Sequence, residues 1–439
     1  MTGPTTALIG FAVMLVLIAL RMPVGLAMLV TGGAGYVYLS SWGAFISYMK
    51  TNPYYQFANY TLSVIPLFIL MGALAERSGL STALFRAAAG FVGHVRGGLA
   101  IAVIWAATGF GAICGSSVAT TATFARAVLP ELKRFKYADS LATGTIATAG
   151  TLGILIPPSV VLVIYAISTE QNIAKLFMAA LVPGLIAAAF YTITILIVTR
   201  VAPDLGPVTA AVPRRERLAR LGAVWPVLLV AIVVVGGIYG GVFTPTEGAA
   251  VGVIAMLVVS LVASRLRWSD FAASLKQTAE TSAMIFIILL GSEVFNAFLA
   301  LTRLPTVAAD WVSGLAIPPE AVVAVMLGIY ILLGAVMDEL AMLLLTLPVF
   351  FPIVQALELG MFPDDAAIWF GILVLIVVGI GLTAPPIGLN VFVVGTIARD
   401  VPLSQTYRGV LPFLVADIIR LSLVFAFPGL ALWLVRLLS

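Results

Sequence analysis

Charge is what this sequence has least of. Only 10% of its 439 residues are Asp, Glu, Lys or Arg, against about 25% in water-soluble domains. A soluble core also needs helices with a polar face, and "VLLVAIVVV" at 227–235 is apolar on every side. There is one cysteine, Cys114, which excludes an intrachain disulfide and a cysteine metal cluster. The single histidine, His94, leaves no multi-histidine metal site, no H-E-x-x-H and no histidine-based triad, so an intramembrane enzyme has nothing to work with. None of the five lysines follows a glycine, so there is no phosphate loop ending in G-K-[ST], and ATP bound to this chain is not expected. The net charge of +4 is no more than the inner loops of a membrane protein give, and implies no nucleic acid. The first twenty residues lack a basic leader and run into a second apolar stretch, so they read as a spanning segment and not a cleavable signal.

What is present in abundance is apolar surface: 62% of the residues are hydrophobic. At about 20 residues per crossing, spans are expected near 5–21, 22–40, 61–76, 140–166, 176–199, 222–240, 248–264, 277–301, 367–397 and 409–438. The most basic connection, "TRVAPDLGPVTAAVPRRERLAR", carries Arg200, Arg214, Arg215, Arg217 and Arg220 against only Asp204 and Glu216, which places it in the cytoplasm. Counting outward from it puts seventeen of the 23 Lys and Arg residues inside, Arg21, Arg77, Arg265 and Lys276 among them. Both termini then face the periplasm, with the acidic loop of Glu358, Asp364 and Asp365. Arg126 and Arg420 fall inside apolar segments.

The chain resembles itself. "FILMG" at 68–72 matches "IILLG" at 287–291, and "GAIC" at 111 matches "GAVM" at 334. "GILIPPS" at 153–159 matches "GLTAPPI" at 381–387, and "LVPGL" at 181–185 matches "VLPFL" at 410–414. The offsets, 219, 223, 228 and 229, grow in order along the chain. Each half holds five crossings, an odd number, so the second enters the membrane upside down. The expected fold is an all-α polytopic membrane protein with an inverted repeat of about five spans plus one re-entrant hairpin per half. Residues 1–200 form the first repeat with hairpin 97–130, residues 201–221 a cytoplasmic linker, and residues 222–439 the second repeat with hairpin 320–354. Secondary transporters use this architecture, with a site near the midplane where helices break.

The two hairpins follow from length. As one helix, 97–130 would be about 51 Å long at 1.5 Å per residue, too long for a core of roughly 30 Å. Folded at the glycines of "GAICGSSVATTATF", it puts a polar tip at mid-depth, where bent backbone is tolerated only inside protein or along a cavity. The oxygens of Ser116, Ser117 and Thr120 there suit a hard cation. Close-packed membrane helices use the same small residues, so this tip taken alone admits a packing role as well. The second tip, "GAVMDELA" at 334–341, carries Asp338 and Glu339, costly at mid-membrane and by default functional; a hairpin ending near the surface would leave them merely solvated. The double prolines Pro157–Pro158 and Pro385–Pro386 interrupt apolar runs and free carbonyls able to coordinate Na⁺, beside Gly153 and the side-chain oxygens of Ser159, Thr383 and Asn390. A kink that shapes packing is the plainer reading, weakened by its recurrence in both halves. Glu293 and Asn296 read as interhelical hydrogen-bond partners, "TPTEG" at 244–248 as an outside turn, and Cys114 as a packing residue.

Together, "GAICGSSVATTATF", "GTLGILIPPS", "LVPGL", "MDE" and "TAPPIGLNVF" resemble the large membrane subunit of tripartite ATP-independent periplasmic (TRAP) transporters, over nearly the whole chain. The resemblance implies an elevator-type transporter in the bacterial inner membrane. It implies Na⁺-coupled uptake of a small organic acid such as a C4-dicarboxylate or a sialic-acid-like carboxylate, with a periplasmic binding protein and a small four-helix membrane subunit as partners. The chain opens on its first large-subunit span, so a separate small subunit is expected. Carried over by motif, Na⁺ sites would involve Ser116 and Ser117 with Gly153, Pro157 and Ser159, and Asp338 with Thr383, Pro386 and Asn390. A self-sufficient carboxylate symporter needing no binding protein is the nearest alternative. A channel is the more distant one, since paired closed tips favour alternating access.

Overall fold

The computed structural model describes residues 3–263, 266–314 and 317–438; Arg265 lies outside them. Among the described residues every regular element is helical. The first half runs α1 (Gly3–Ala19), α2 (Val24–Leu39), α3 (Trp42–Phe57), α4 (Val64–Arg77), α5 (Leu80–Val92), α6 (Gly98–Cys114), α7 (Ser117–Arg134), α8 (Asp139–Leu155), α9 (Val160–Ser168) and α10 (Ile173–Val201). A short helix, α11 (Arg214–Leu221), lies within the connection. The second half runs α12 (Trp225–Tyr239), α13 (Pro245–Ala263), α14 (Trp268–Thr302), α15 (Leu304–Ser313), α16 (Pro319–Gly334), α17 (Glu339–Ala356), α18 (Pro363–Gly381), α19 (Leu389–Ile397), α20 (Leu403–Ala426) and α21 (Gly429–Leu438). Seven described helices are long and apolar enough to cross a membrane, nine if each bent pair counts as one span. Exposed apolar side chains such as Ile232, Val262 and Leu332 cover the outside, as lipid requires.

Both expected hairpins are present. Helices α6 and α7 fold back at Gly115–Ser116, and α16 and α17 at residues 335–338. The expected span 140–166 is broken by its double proline into α8 and α9, bent by 44°. The expected span 367–397 is likewise broken between α18 and α19. Other expectations need correction. The segment 409–438 is not one crossing: Pro428 cannot continue the ladder of α20, and the chain restarts as α21. Helices α3, α5 and α15 occupy stretches expected to be connections. Within the connection, α11 packs on α5 and Thr209 Oγ1 donates to Gly93 O at 2.8 Å.

From α4 and from α14 onward the two halves repeat one order: two helices, a hairpin, a broken span and a long helix. Their packing repeats too. Helix α7 touches α19 as α17 touches α9, and α8 touches α20 as α18 touches α10, so each half clasps the other through equivalent partners. Within each half the hairpin crosses its broken span glycine to glycine. A Cβ on Gly111 would lie 2.8 Å from Leu152 O and 3.1 Å from the Cα of Gly153. One on Gly381 would lie 2.6 Å from the carbonyl carbon of Gly334. Gly111 and Gly334 begin "GAIC" and "GAVM"; Gly153 and Gly381 begin the two proline motifs.

Candidate functional site

The helix breaks make the site. A helix leaves its first four N–H groups without partners, and here four such ends come together. Ser116 caps α7 by accepting from Ala119 N at 3.4 Å. Ser159 caps α9, accepting from Leu162 N at 3.4 Å. Asp338 caps α17 through Oδ2, accepting from Ala341 N at 3.4 Å. Gly388, with φ of 57°, turns the chain into α19 in a conformation that favours glycine. First-turn residues of all four helices line one cavity of about 950 Å³ between the two hairpin tips and helices α2, α4 and α14.

The tips are tied to the breaks of their own halves by backbone. Val160 N donates to Gly115 O at 3.4 Å, and Ile387 N donates to Ala335 O at 3.2 Å. Gly115, with φ of 64°, sits so close to Pro158 O that a Cβ would approach it to 2.8 Å. Both Pro–Pro bonds are cis. The breaks differ in surroundings: Pro157 and Pro158 are buried, Pro385 and Pro386 exposed.

The expected site residues divide into two groups. Ser116, Asp338 and Glu339 line the cavity. Asp338 is open to it, while Glu339 is 9% exposed and its Oε2 has no hydrogen-bond partner among the described residues. Ser117, Thr120, Gly153, Ser159, Thr383 and Asn390 lie behind the tips, the side chains of Ser117, Ser159, Thr383 and Asn390 fully enclosed. Asn390 was expected beside Asp338 and instead reaches the first tip: its Nδ2 donates to Ser117 Oγ at 2.8 Å and to Ala147 O at 3.1 Å. Thr120 Oγ1 donates to Ser116 O at 2.7 Å, and Gly153 leaves the room for it. Thr383 Oγ1 turns back on its own helix, to Ile380 O at 3.1 Å.

Sequence reasoning missed the rim and the threonines. Glu76 pairs with Arg126 at 2.8 Å and accepts from Gln277 Nε2 at 3.2 Å; Glu76, Gln277 and Glu280 border the cavity. Arg126, though inside an apolar segment of the sequence, is exposed and paired with that rim carboxylate. Gln277 and Glu280 stand three apart on α14, a helical spacing that marks one polar face. Thr121, Thr145 and Thr148 bury hydroxyls without partners among the described residues, and Thr121 shares the surroundings of Gly150 with Asn390. No Lys, Arg or His is among the described residues lining the cavity. Glu293 is an interhelical partner as expected, accepting from Asn52 Nδ2 at 3.2 Å. Thr244 and Glu247 cap α13, Glu247 Oε2 accepting from Thr244 N at 2.8 Å.

The cavity thus offers positive helix ends and two carboxylates, with a cluster of hydroxyl and carbonyl oxygens enclosed behind the tips, a set able to hold a cation and an organic anion close together. Residues 11–430 match the family described as tripartite ATP-independent periplasmic transporter, DctM component. The chain is 38% identical over 376 residues to the C4-dicarboxylate TRAP transporter large permease protein DctM of Pseudomonas aeruginosa, covering 85% of this chain and 86% of that one. It is 31% identical over 417 residues to the sialic acid TRAP transporter large permease protein SiaM of Vibrio cholerae, covering 95% of each. Its fold is similar to that of the Alcanivorax borkumensis YdaH transporter crystal structure, with a TM-score of 0.65 at 15% identity over 90% of this chain and 89% of that one.

Proposed function

The chain belongs to the DctM component family of TRAP transporters as a large membrane subunit, and is not an enzyme; on that premise we propose that it carries out Na⁺-coupled uptake of a small organic acid. The observation that carries the reading is the convergence of four helix N-termini and the Asp338–Glu339 pair on one cavity between two hairpin tips. Helix N-termini attract anionic groups. With no basic side chain on the described lining, the substrate carboxylate is met by those ends and by Na⁺ held in oxygen ligands, from Ser116, Ser117, Ser159, Thr383, Asn390 and the acidic pair. A C4-dicarboxylate or a sialic-acid-like carboxylate is the proposed substrate class, in keeping with the two relatives.

Two hairpins crossing their own broken spans at glycine make a unit, α6–α9 with α16–α19, able to move against α2, α4 and α14 as an elevator. The proposed repeats are 1–200 and 222–439, joined by 201–221, in a bacterial inner membrane with both termini periplasmic. In that orientation the rim of Glu76 and Gln277, beside Arg77 and Lys276, faces the cytoplasm, so the cavity is inward-open. A periplasmic binding protein delivers the substrate and a small four-helix membrane subunit completes the complex. The test is uptake into vesicles holding the chain with its candidate small subunit and binding protein. Equal uptake with and without a Na⁺ gradient would overturn the coupling, and full uptake without the binding protein would favour the self-sufficient symporter.

A further inference from the structure

Helix α8 serves two neighbours through adjoining faces. On one, Ala147 O accepts from Asn390, and Gly150 is so close to Asn390 that a Cβ would lie 3.0 Å from its Nδ2. On the other, Thr151 Oγ1 lies 3.1 Å from the hydroxyl of Tyr191 on α10. That hydroxyl donates to Asp417 on α20, 2.7 Å from Oδ1 and 2.9 Å from Oδ2. Arg420 Nη2 pairs with Asp417 Oδ1 at 2.8 Å, and its guanidinium stands 5.9 Å from the centre of the Tyr191 ring. All four side chains are at most 1% exposed.

Proton bookkeeping gives the chain a direction. Tyr191 has one hydroxyl proton and Asp417 takes it, so toward Thr151 the tyrosine oxygen can only accept. Thr151 also lies 2.8 Å from Thr148 O, so its own proton is shared between its helix and α10. Helices α8 and α20 are already in backbone contact at Gly144 and Gly409, where a Cβ on Gly144 would lie 2.7 Å from the Gly409 Cα. That contact fixes their separation, and the Thr151–Tyr191 bond adds a polar tie between α8 and α10 one turn beyond Ala147. A buried ion pair is weak evidence for stability, since apolar replacements of similar volume are often as stable. An ionisable group at this depth is by default functional.

We propose that Asp417 and Arg420 act through Tyr191 and Thr151 as positioning residues for the Ser117–Asn390 cluster, holding α8 where Ala147 O faces Asn390. The inference rests on the Na⁺-coupled reading above and goes beyond it by tying ion affinity to α10 and α20, which contribute no ligand.

The test uses the reconstituted complex with Tyr191→Phe, Thr151→Val and Thr151→Ser, which leave the Asp417–Arg420 charges balanced. Uptake is measured against Na⁺ and against substrate, with the melting temperature of each purified variant. Tyr191→Phe and Thr151→Val raise the half-saturating Na⁺ concentration about five-fold, the effect of one net hydrogen bond, with substrate KM at saturating Na⁺ unchanged. Thr151→Ser, which keeps the hydroxyl, stays near wild type. Half-saturating Na⁺ equal to wild type in both variants, whether or not their melting temperature falls, overturns the proposal. Wild-type uptake indifferent to Na⁺ removes the underlying reading and the inference with it; Na⁺-dependent wild type with unchanged variants removes the inference alone.

Discussion

Asn390 Nδ2 stands 2.8 Å from Ser117 Oγ, although 273 residues separate the two in the chain. The second half's broken span thereby supplies a partner to the first half's hairpin tip, and the proposed cation cluster is joint property of both halves. Ser117→Ala removes one oxygen without disturbing the cap, which belongs to Ser116, but leaves the buried Asn390 side chain one partner short, so its melting temperature falls as half-saturating Na⁺ rises. Asn390→Ala leaves the buried Ser117 hydroxyl without its partner, while Ala147 O keeps its own helix bond, and costs about 1–3 kcal/mol of stability, the penalty for an unpaired buried polar group. Uptake against Na⁺, alongside thermal melts of both variants, distinguishes the two; an unchanged Na⁺ titration for Ser117→Ala removes that residue from the ligand set.

Asp338 has two jobs that substitution can separate. As N-cap it accepts from Ala341 N, and Asn caps about as well as Asp. Asp338→Asn therefore melts near wild type but loses Na⁺-driven uptake, whereas Asp338→Ala loses the cap as well, about 1 kcal/mol. If Asp338→Asn transports with wild-type Na⁺ dependence, the carboxylate is only a cap.

The glycine crossings make a sharp steric prediction. In Gly381→Ala the new methyl would lie 2.6 Å from the Gly334 carbonyl carbon, so the hairpin must separate from its broken span and folded yield falls. Gly328, in α16 of the same hairpin, has nothing within 4 Å of its would-be Cβ. Gly328→Ala should be neutral or stabilising, by up to about 1 kcal/mol from helix propensity. Size-exclusion profiles of the two detergent-purified variants provide the comparison.

Outside the apolar spans, Lys133 at the end of α7 is paired with Asp400 after α19. Its hydrogen bond holds the Asp400 carboxyl below the usual range. A depressed carboxylate pKa adds stability above the unfolded value, about 3.9, which is lost as pH falls through the folded value. Asp400→Asn should therefore melt slightly below wild type at pH 7. The gap narrows with added salt, because both groups are solvated, and begins to close as pH falls towards about 4. Melting curves from pH 3.5 to 7.5 at two salt concentrations follow it.

Much of this was legible in the sequence where a single dimension decides. Hairpin 97–130 was found because it is too long for one crossing, and the breaks because prolines cannot donate to a ladder. Helices α3, α5 and α15 escaped because each is too polar or too short for a window of about 20 apolar residues: α3 carries Lys50, Asn52 and Pro53, and α15 is 10 residues long. The break between α20 and α21 was signalled by "AFPGL", since Pro followed by Gly marks a turn. No local pattern could place Asn390 against Ser117, or Tyr191 against Asp417; those neighbours exist only once the halves interlock.

Two copies of one unit that diverge independently keep in common what neither can change. At the crossings of Gly111 with Gly153 and of Gly334 with Gly381, any side chain would push two backbones apart. Those four positions account for why "GAIC" still matches "GAVM" and "GILIPPS" still matches "GLTAPPI", while most of the chain between them no longer aligns. The common origin of the halves is recorded where the molecule has no room to drift.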